Sequence, residues 1–144
     1  MTTFDRASLV AQLKKHEAVK LKPYVDSVGK LTIGVGRNLD DVGITSAEAD
    51  FLLQGDIDRV VRGLLARYPI WFGDLDPVRQ AVLVNMAFNL GLAGLAGFTT
   101  MLAAVAAHQF DLASRAMLNS KWAAQVGGRA IELADQMSSG KWSA

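Results

Sequence analysis

Lys22-Pro23-Tyr24-Val25-Asp26-Ser27-Val28-Gly29-Lys30-Leu31-Thr32-Ile33-Gly34-Val35-Gly36 is the stretch of this chain that reads as paired strands. Leu31, Ile33 and Val35 alternate with Thr32, Gly34 and Gly36, the period-two pattern of a strand with one apolar face. Tyr24 and Val25 favour extended backbone before Asp26-Ser27-Val28-Gly29, whose polar and glycine residues read as a turn. So small a hairpin is not stable alone in water and needs helices to lean on. The rest of the chain reads as helix, so the fold class is α+β, a mostly helical body with one small β-lobe.

Upstream, Leu9, Val10 and Leu13 form a short apolar stripe, and Thr2 with Asp5 resembles a capping box. A first helix over about 4–16 is expected to end near His16 to Val19, because Pro23 disfavours helix at the residue before it. Downstream, Thr45 and Glu48 form a stronger capping box opening a long helix over about 46–67. Its stripe is Ala49, Leu53, Ile57, Val60, Val61, Leu64 and Leu65, and Pro69 ends it. Asp76-Pro77 is an N-cap followed by proline at the first helical position. Val78 to Leu90 is apolar nearly all round, the mark of a helix buried on most sides. Gly91, Gly94 and Gly97 are expected to break the chain into short pieces. Helices are then expected over Thr99–Ala107, Gln109–Leu118 and Arg129–Ser138, with Gly140 as the last stop and Trp122 and Trp142 as lids. The expected layout is one domain over 1–144. It has a small β-containing lobe at about 17–46, a linking helix at 46–67, and a helical lobe at 68–144 joined by the N-terminal helix.

Composition narrows the chemistry. The 144 residues include no cysteine, which excludes disulfides, Cys-ligated metals and a thiol nucleophile. His16 and His108 lie far apart in sequence, so no metal site and no cofactor are expected. Net charge is +1, which argues against a polyanion binder and against nucleic acid as partner. That total conceals +4 over residues 1–37, −5 over 38–76 and +2 over 77–144. This layout fits solvated helix faces, or weak steering towards an anionic polymer. The N-terminus lacks the apolar run of a signal peptide, and Met101–Ala107, the longest apolar run, is far short of the ~20 residues of a membrane span. No insertion into membranes is therefore expected, and the chain is expected to act as a monomer. Gly34-Val35-Gly36 lacks the third glycine of a dinucleotide fingerprint, there is no P-loop, and no serine or histidine sits in a triad setting.

Carboxylates remain. Glu17 falls at the end of the first helix, Asp26 at the hairpin turn nine residues on, and Thr32 on the returning strand. A helix end and a hairpin can bring all three to one cleft. Glycoside hydrolysis needs one protonated carboxyl for the leaving oxygen and one ionised carboxylate for water or attack. With 14 acids in the chain, spacing alone does not separate this pair from surface or capping acids.

The segment Glu17-Ala18-Val19-Lys20-Leu21-Lys22-Pro23-Tyr24-Val25-Asp26, with Leu31-Thr32-Ile33-Gly34-Val35-Gly36, resembles the active-site segment of the phage-type lysozymes of the T4 endolysin family, glycoside hydrolase family 24. The family pattern is Glu, eight residues, Asp or Cys, five residues, Thr, and this chain fits it without a gap. Asp56-Ile57-Asp58 with Val61-Arg62-Gly63 is similar to the family's linking helix. Asn85-Met86-Ala87-Phe88-Asn89-Leu90-Gly91 and Gly94-Leu95-Ala96-Gly97-Phe98-Thr99 look like its central helix and the loop after it. Ser120-Lys121-Trp122, Gly128-Arg129-Ala130 and Gly140-Lys141-Trp142 resemble its C-terminal helices.

The resemblance implies a muramidase that cleaves the β-1,4 bond between N-acetylmuramic acid and N-acetylglucosamine in bacterial peptidoglycan and lyses the cell. By it, Glu17 is the general acid, Asp26 the base that activates water, and Thr32 the residue that helps hold that water. The resemblance implies inversion at the anomeric carbon, and with it carboxyls roughly 6.5–9.5 Å apart. Arg129 matches a supporting arginine that pairs with the catalytic glutamate. Arg37 and Asp56 match a pair tying the small lobe to the linking helix, worth about 0–1 kcal/mol if exposed. Asn89, Phe88, Phe98 and Lys121 match glycan-binding positions in part, although both phenylalanines also suit a core. The resemblance further implies a chain held in the host bacterial cytoplasm until holin-type release. Two features depart from the pattern. The segment from Gly36 to Thr45 is short, which trims the β-lobe. Ile131 stands beside Arg129 on what is expected to be the solvent face, opposite Ala130, Leu133, Ala134 and Met137. Two other readings are a lytic transglycosylase, which does not need Asp26, and a non-catalytic peptidoglycan-binding module, against which the intact Glu17, Asp26 and Thr32 argue.

Overall fold

A computed structural model describes residues 4–143, so the Thr2 half of the expected capping box lies outside the described residues. The chain is mostly helical with one three-stranded antiparallel sheet near the N-terminus, the expected α+β class. It divides into two compact units, residues 1–51 and 52–144.

In the first unit, α1 spans Arg6–Glu17 and is capped by Asp5, whose carboxylate accepts from the Ser8 backbone N–H at 3.1 Å and from the Ser8 hydroxyl at 2.6 Å. None of its residues is buried. It belongs with the sheet in this unit, whereas the sequence reading grouped it with the helical lobe. Strands β1 (Lys20–Val25), β2 (Leu31–Gly34) and β3 (Arg37–Asn38) lie in the order β1-β2-β3. Tyr24 stands opposite Thr32 and Val25 opposite Leu31. The register shifts between Lys20 and Tyr24, an interval that contains Pro23, which has no N–H to give a ladder. Asp26 and Lys30 close the expected turn, the Asp26 N–H donating to the Lys30 carbonyl at 2.9 Å. The third strand, too short to show a period, was not expected; it sets Asn38 opposite Thr32 and Arg37 opposite Ile33.

Helix α2, Ser46–Arg67, has the bounds expected of it. The Glu48 N–H donates to the Thr45 hydroxyl at 3.1 Å while the Thr45 N–H donates to the Glu48 carboxylate at 2.9 Å, a reciprocal capping box. The boundary between the units falls within this helix.

In the second unit, α2 buries only Val60 and Leu64 of its expected stripe. A single 3-10 turn at Phe72–Asp74 precedes α3, Pro77–Ala96, whose cap Asp76 accepts from the Arg79 N–H at 3.1 Å. Helix α3 buries Val82, Leu83, Met86, Ala87 and Leu95. The glycines do not shatter it: the chain kinks at Gly91 (φ 77°, ψ 161°) and continues helically to Ala96. By length and composition α3 is the one described helix that could cross a membrane, and its buried residues make it the core helix of this unit. Around it lie α4 (Thr99–Ala106), α5 (Phe110–Leu118), α6 (Lys121–Val126) and α7 (Gly128–Ser139). The buried Ser114 hydroxyl donates to the Ala134 carbonyl at 2.8 Å and ties α5 to α7. Helix α6, capped by Ser120, was not expected. Trp122 is core at 4% exposure, not a lid, and Trp142 is two-thirds exposed. Helix α7 buries Ala130, Leu133, Ala134 and Met137 and presents Ile131 to solvent, as the spacing predicted.

Candidate active site

Glu17 is the last residue of α1 and is solvent-exposed. The helix stops because Ala18 takes φ 63°, ψ 169°, a region that only glycine enters readily, while its N–H still donates to the Lys14 carbonyl at 3.0 Å. The Glu17 carboxyl lies against Gly36: a Cβ built there would stand 3.1 Å from Oε2 and 3.2 Å from the carboxyl carbon.

Asp26 heads the hairpin turn. Its Oδ1 accepts from the Val28 N–H at 3.0 Å and the Lys30 N–H at 2.8 Å, so local backbone fixes the side chain through one carboxylate oxygen. Thr32 is buried at 3% exposure and donates its hydroxyl proton to the Lys30 carbonyl at 2.9 Å. Its oxygen lone pairs stay available as acceptors. Lys30 is thus the backbone hub that fixes both Asp26 and Thr32, and sequence reasoning did not single it out. Its role lies in main-chain atoms, which leave no side-chain signature. The Lys30 ammonium itself pairs with Asp41 at 3.1 Å.

In the second unit, Arg129 grips Asn85. Its Nε and one terminal nitrogen donate to Asn85 Oδ1 at 2.9 and 2.6 Å, and the latter also reaches the Asn85 carbonyl at 3.2 Å. Both residues border a groove of about 650 Å³ with Phe88 and Trp142. Phe88 is 47% exposed, so it is not core. Asn85 was not foreseen as Arg129's partner, though it is an amide on a largely apolar helix, as Asn89 is. Asn89 is itself exposed, and its Oδ1 accepts from the Trp122 indole N–H at 2.9 Å. Phe98 packs edge-on against Trp122, ring centroids 6.0 Å apart. Phe98, Lys121 and Trp122 line a second groove of about 920 Å³.

The expected Arg37–Asp56 pair is corrected. Both terminal nitrogens of Arg37 are taken by Glu48, at 2.8 and 2.7 Å, and one also donates to the Gly43 carbonyl at 3.1 Å. Asp56 instead accepts from Arg59, one helical turn on, at 2.8 Å. The short loop between β3 and α2 brings Glu48 to Arg37 within the first unit. This pairing and the two bonds from Thr45 hold the Glu48 carboxyl down at a pKa of about 2.

A helix ending in Glu17, then a small antiparallel sheet with Asp26 in its hairpin turn and a buried Thr32 on β2, with a separate helical unit, is an α+β arrangement of lysozyme-like type. The chain matches the Phage lysozyme family over residues 14–135 and belongs to that family. It is 30% identical to the pre-baseplate central spike protein Gp5 of Enterobacteria phage T4, over 85% of this chain and 26% of that protein, so it spans about a quarter of that relative. It is 25% identical to the probable T4-type lysozymes 1 and 2 of Dictyostelium discoideum, over 85% of this chain and 89% of each. Family membership supports a peptidoglycan hydrolase of lysozyme type.

Proposed function

We propose that this protein is a muramidase that hydrolyses the β-1,4 bond between N-acetylmuramic acid and N-acetylglucosamine, so opening the peptidoglycan and lysing the cell. The observation that carries this reading is the way Lys30 fixes Asp26 and Thr32 while leaving each an acceptor. Asp26 Oδ2 takes a proton from a water whose second hydrogen is accepted by Thr32 Oγ1. The oxygen attacks the anomeric carbon as Glu17 gives its proton to the departing glycosidic oxygen. One water is consumed, one proton moves at each carboxyl, and the configuration inverts. Inversion calls for a carboxyl separation of roughly 6.5–9.5 Å. Arg129, held on Asn85, is the support residue of this proposal, and Asn89, Phe88, Phe98 and Lys121 are its glycan contacts.

The test is digestion of purified peptidoglycan by the wild type and Glu17→Gln, with products weighed by mass spectrometry. Reducing-end muropeptides from the wild type and none from the variant are expected. Equal clearing by Glu17→Gln overturns the acid assignment, and products lighter by one water would mean a transglycosylase. Unchanged activity in Arg129→Ala removes its supporting role.

A further inference from the structure

We infer that Gly36 is a positioning residue for Glu17, its missing side chain forming the seat on which the carboxyl rests. This rests on the reading of Glu17 as the acid. Gly34 and Gly36 flank Val35 at the end of β2, and both take a positive φ, +71° and +69°. That conformation alone favours glycine at both. Their surroundings differ. A Cβ at Gly34 would meet nothing within 4 Å, whereas one at Gly36 would meet Oε2, the carboxyl carbon and Cγ of Glu17 at 3.1, 3.2 and 3.4 Å. Cγ, the carboxyl carbon and Oε2 of Glu17 therefore lie along a surface that exists only because residue 36 has no side chain.

The other end of Glu17 is fixed independently. Its backbone closes α1, and the strained Ala18 sets the direction in which the chain leaves. Stem and head are thus both held, although within residues 4–51 no hydrogen bond fixes the carboxyl. Packing against Gly36 does what a hydrogen bond does for Asp26. A general acid must sit within about 2.6–3.2 Å of the oxygen it protonates. A displacement of a few tenths of an ångström is enough to matter, because a 1 Å misplacement costs on the order of 100-fold in rate.

The paired glycines supply the control. Gly34→Ala and Gly36→Ala each place a Cβ on a residue of positive φ, and only the second touches Glu17. Both are expected to lower the melting temperature. Gly36→Ala is expected to reduce kcat a further tenfold or so below Gly34→Ala with KM unchanged, and Gly36→Ala with Glu17→Asp, whose shorter chain clears the new methyl, to melt above Gly36→Ala alone. Equal kcat in the two alanine variants, with no recovery of melting temperature in the double variant, overturns the proposal. A measurement on the unaltered chain covers the case in which Gly36→Ala does not fold. The Gly36 amide resonance should shift with the Glu17 carboxyl titration, the Gly34 amide much less, and Glu17→Gln should abolish the difference. A Gly36 amide blind to Glu17 sinks the seat. An active Glu17→Gln chain with a responsive Gly36 amide would instead sink the acid assignment and leave the contact standing.

Discussion

Ala18 holds backbone angles that cost a residue with a Cβ about 1–3 kcal/mol, directly after Glu17. Glycine there removes the strain but loses about 0.5–1 kcal/mol through the freer unfolded chain. Ala18→Gly is therefore expected to stabilise by about 1 kcal/mol, read from the denaturant midpoint. Asp26 offers the opposite separation. Both turn bonds fall on Oδ1, and the amide oxygen of an asparagine can accept them equally. Asp26→Asn should keep the hairpin and its melting temperature yet lower the rate of peptidoglycan cleavage by about 100-fold or more, as loss of a general base does. A variant that melts early would make Asp26 a turn residue first. Glu17, Asp26 and Thr32 could be proposed from the sequence because the family pattern they match is written in side chains at fixed spacing. Gly36 and Lys30 were not, because one acts through an absent side chain and the other through its main chain.

At the scale of elements, two starts written in side-chain capping were readable, those of α2 and α3, whereas α6, also capped by a side chain, was not. Thr45 with Glu48 and Asp76 with Pro77 each name their own first turn, and Gly140 names a stop. Strand β3 and helix α6 have two and six residues, too few for a period to show. Arg37 was paired with the wrong acid because its partner depends on how the loop after β3 returns, which no local pattern states. The Arg37–Glu48 pair gives this element a pH dependence. The folded pKa of Glu48 is depressed from 4.5 to about 2, so its contribution is fully present above the unfolded value and disappears as the pH falls to the folded one. The stability difference between wild type and Glu48→Gln should hold steady above pH 4.5 and close on acidification towards pH 2. Both side chains are well exposed, so added salt should shrink it. Arg79 is the stronger clasp. It donates to the Met137 and Ser138 carbonyls at 2.7 and 2.8 Å, closing the end of α7, and its guanidinium lies 3.7 Å from the Phe110 ring centroid. Arg79→Met should cost about 2–3 kcal/mol in a denaturant titration, because two carbonyls at the end of α7 lose their donor. Lysine should recover only part, lacking the fork that reaches both.

At the scale of the whole molecule, stability and proposed chemistry are unevenly distributed. Among the described residues every buried apolar side chain, from Val60 to Met137, lies in the 52–144 unit. In residues 4–51 the buried side chain is Thr32, a polar one. Three short strands and a helix without a buried face are held by turn bonds, capping and ion pairs, which contribute little each. Hydrogen exchange on the intact protein should therefore resolve two levels. Amides of Val82 to Ala87 in α3 and of Leu133 to Met137 in α7 should exchange only through global unfolding, with the steep denaturant dependence of a large newly exposed surface. Amides of β1 and β2 should exchange sooner, through openings whose free energy hardly changes with denaturant. A muramic acid–glucosamine oligomer that binds through Asp26 and Thr32 can only bind the closed hairpin, so it should raise protection in β1 and β2 in proportion to the logarithm of its concentration and leave α3 and α7 less affected. If all four elements exchange at one common free energy, the two units unfold as one, and the hairpin's order does not depend on what it binds.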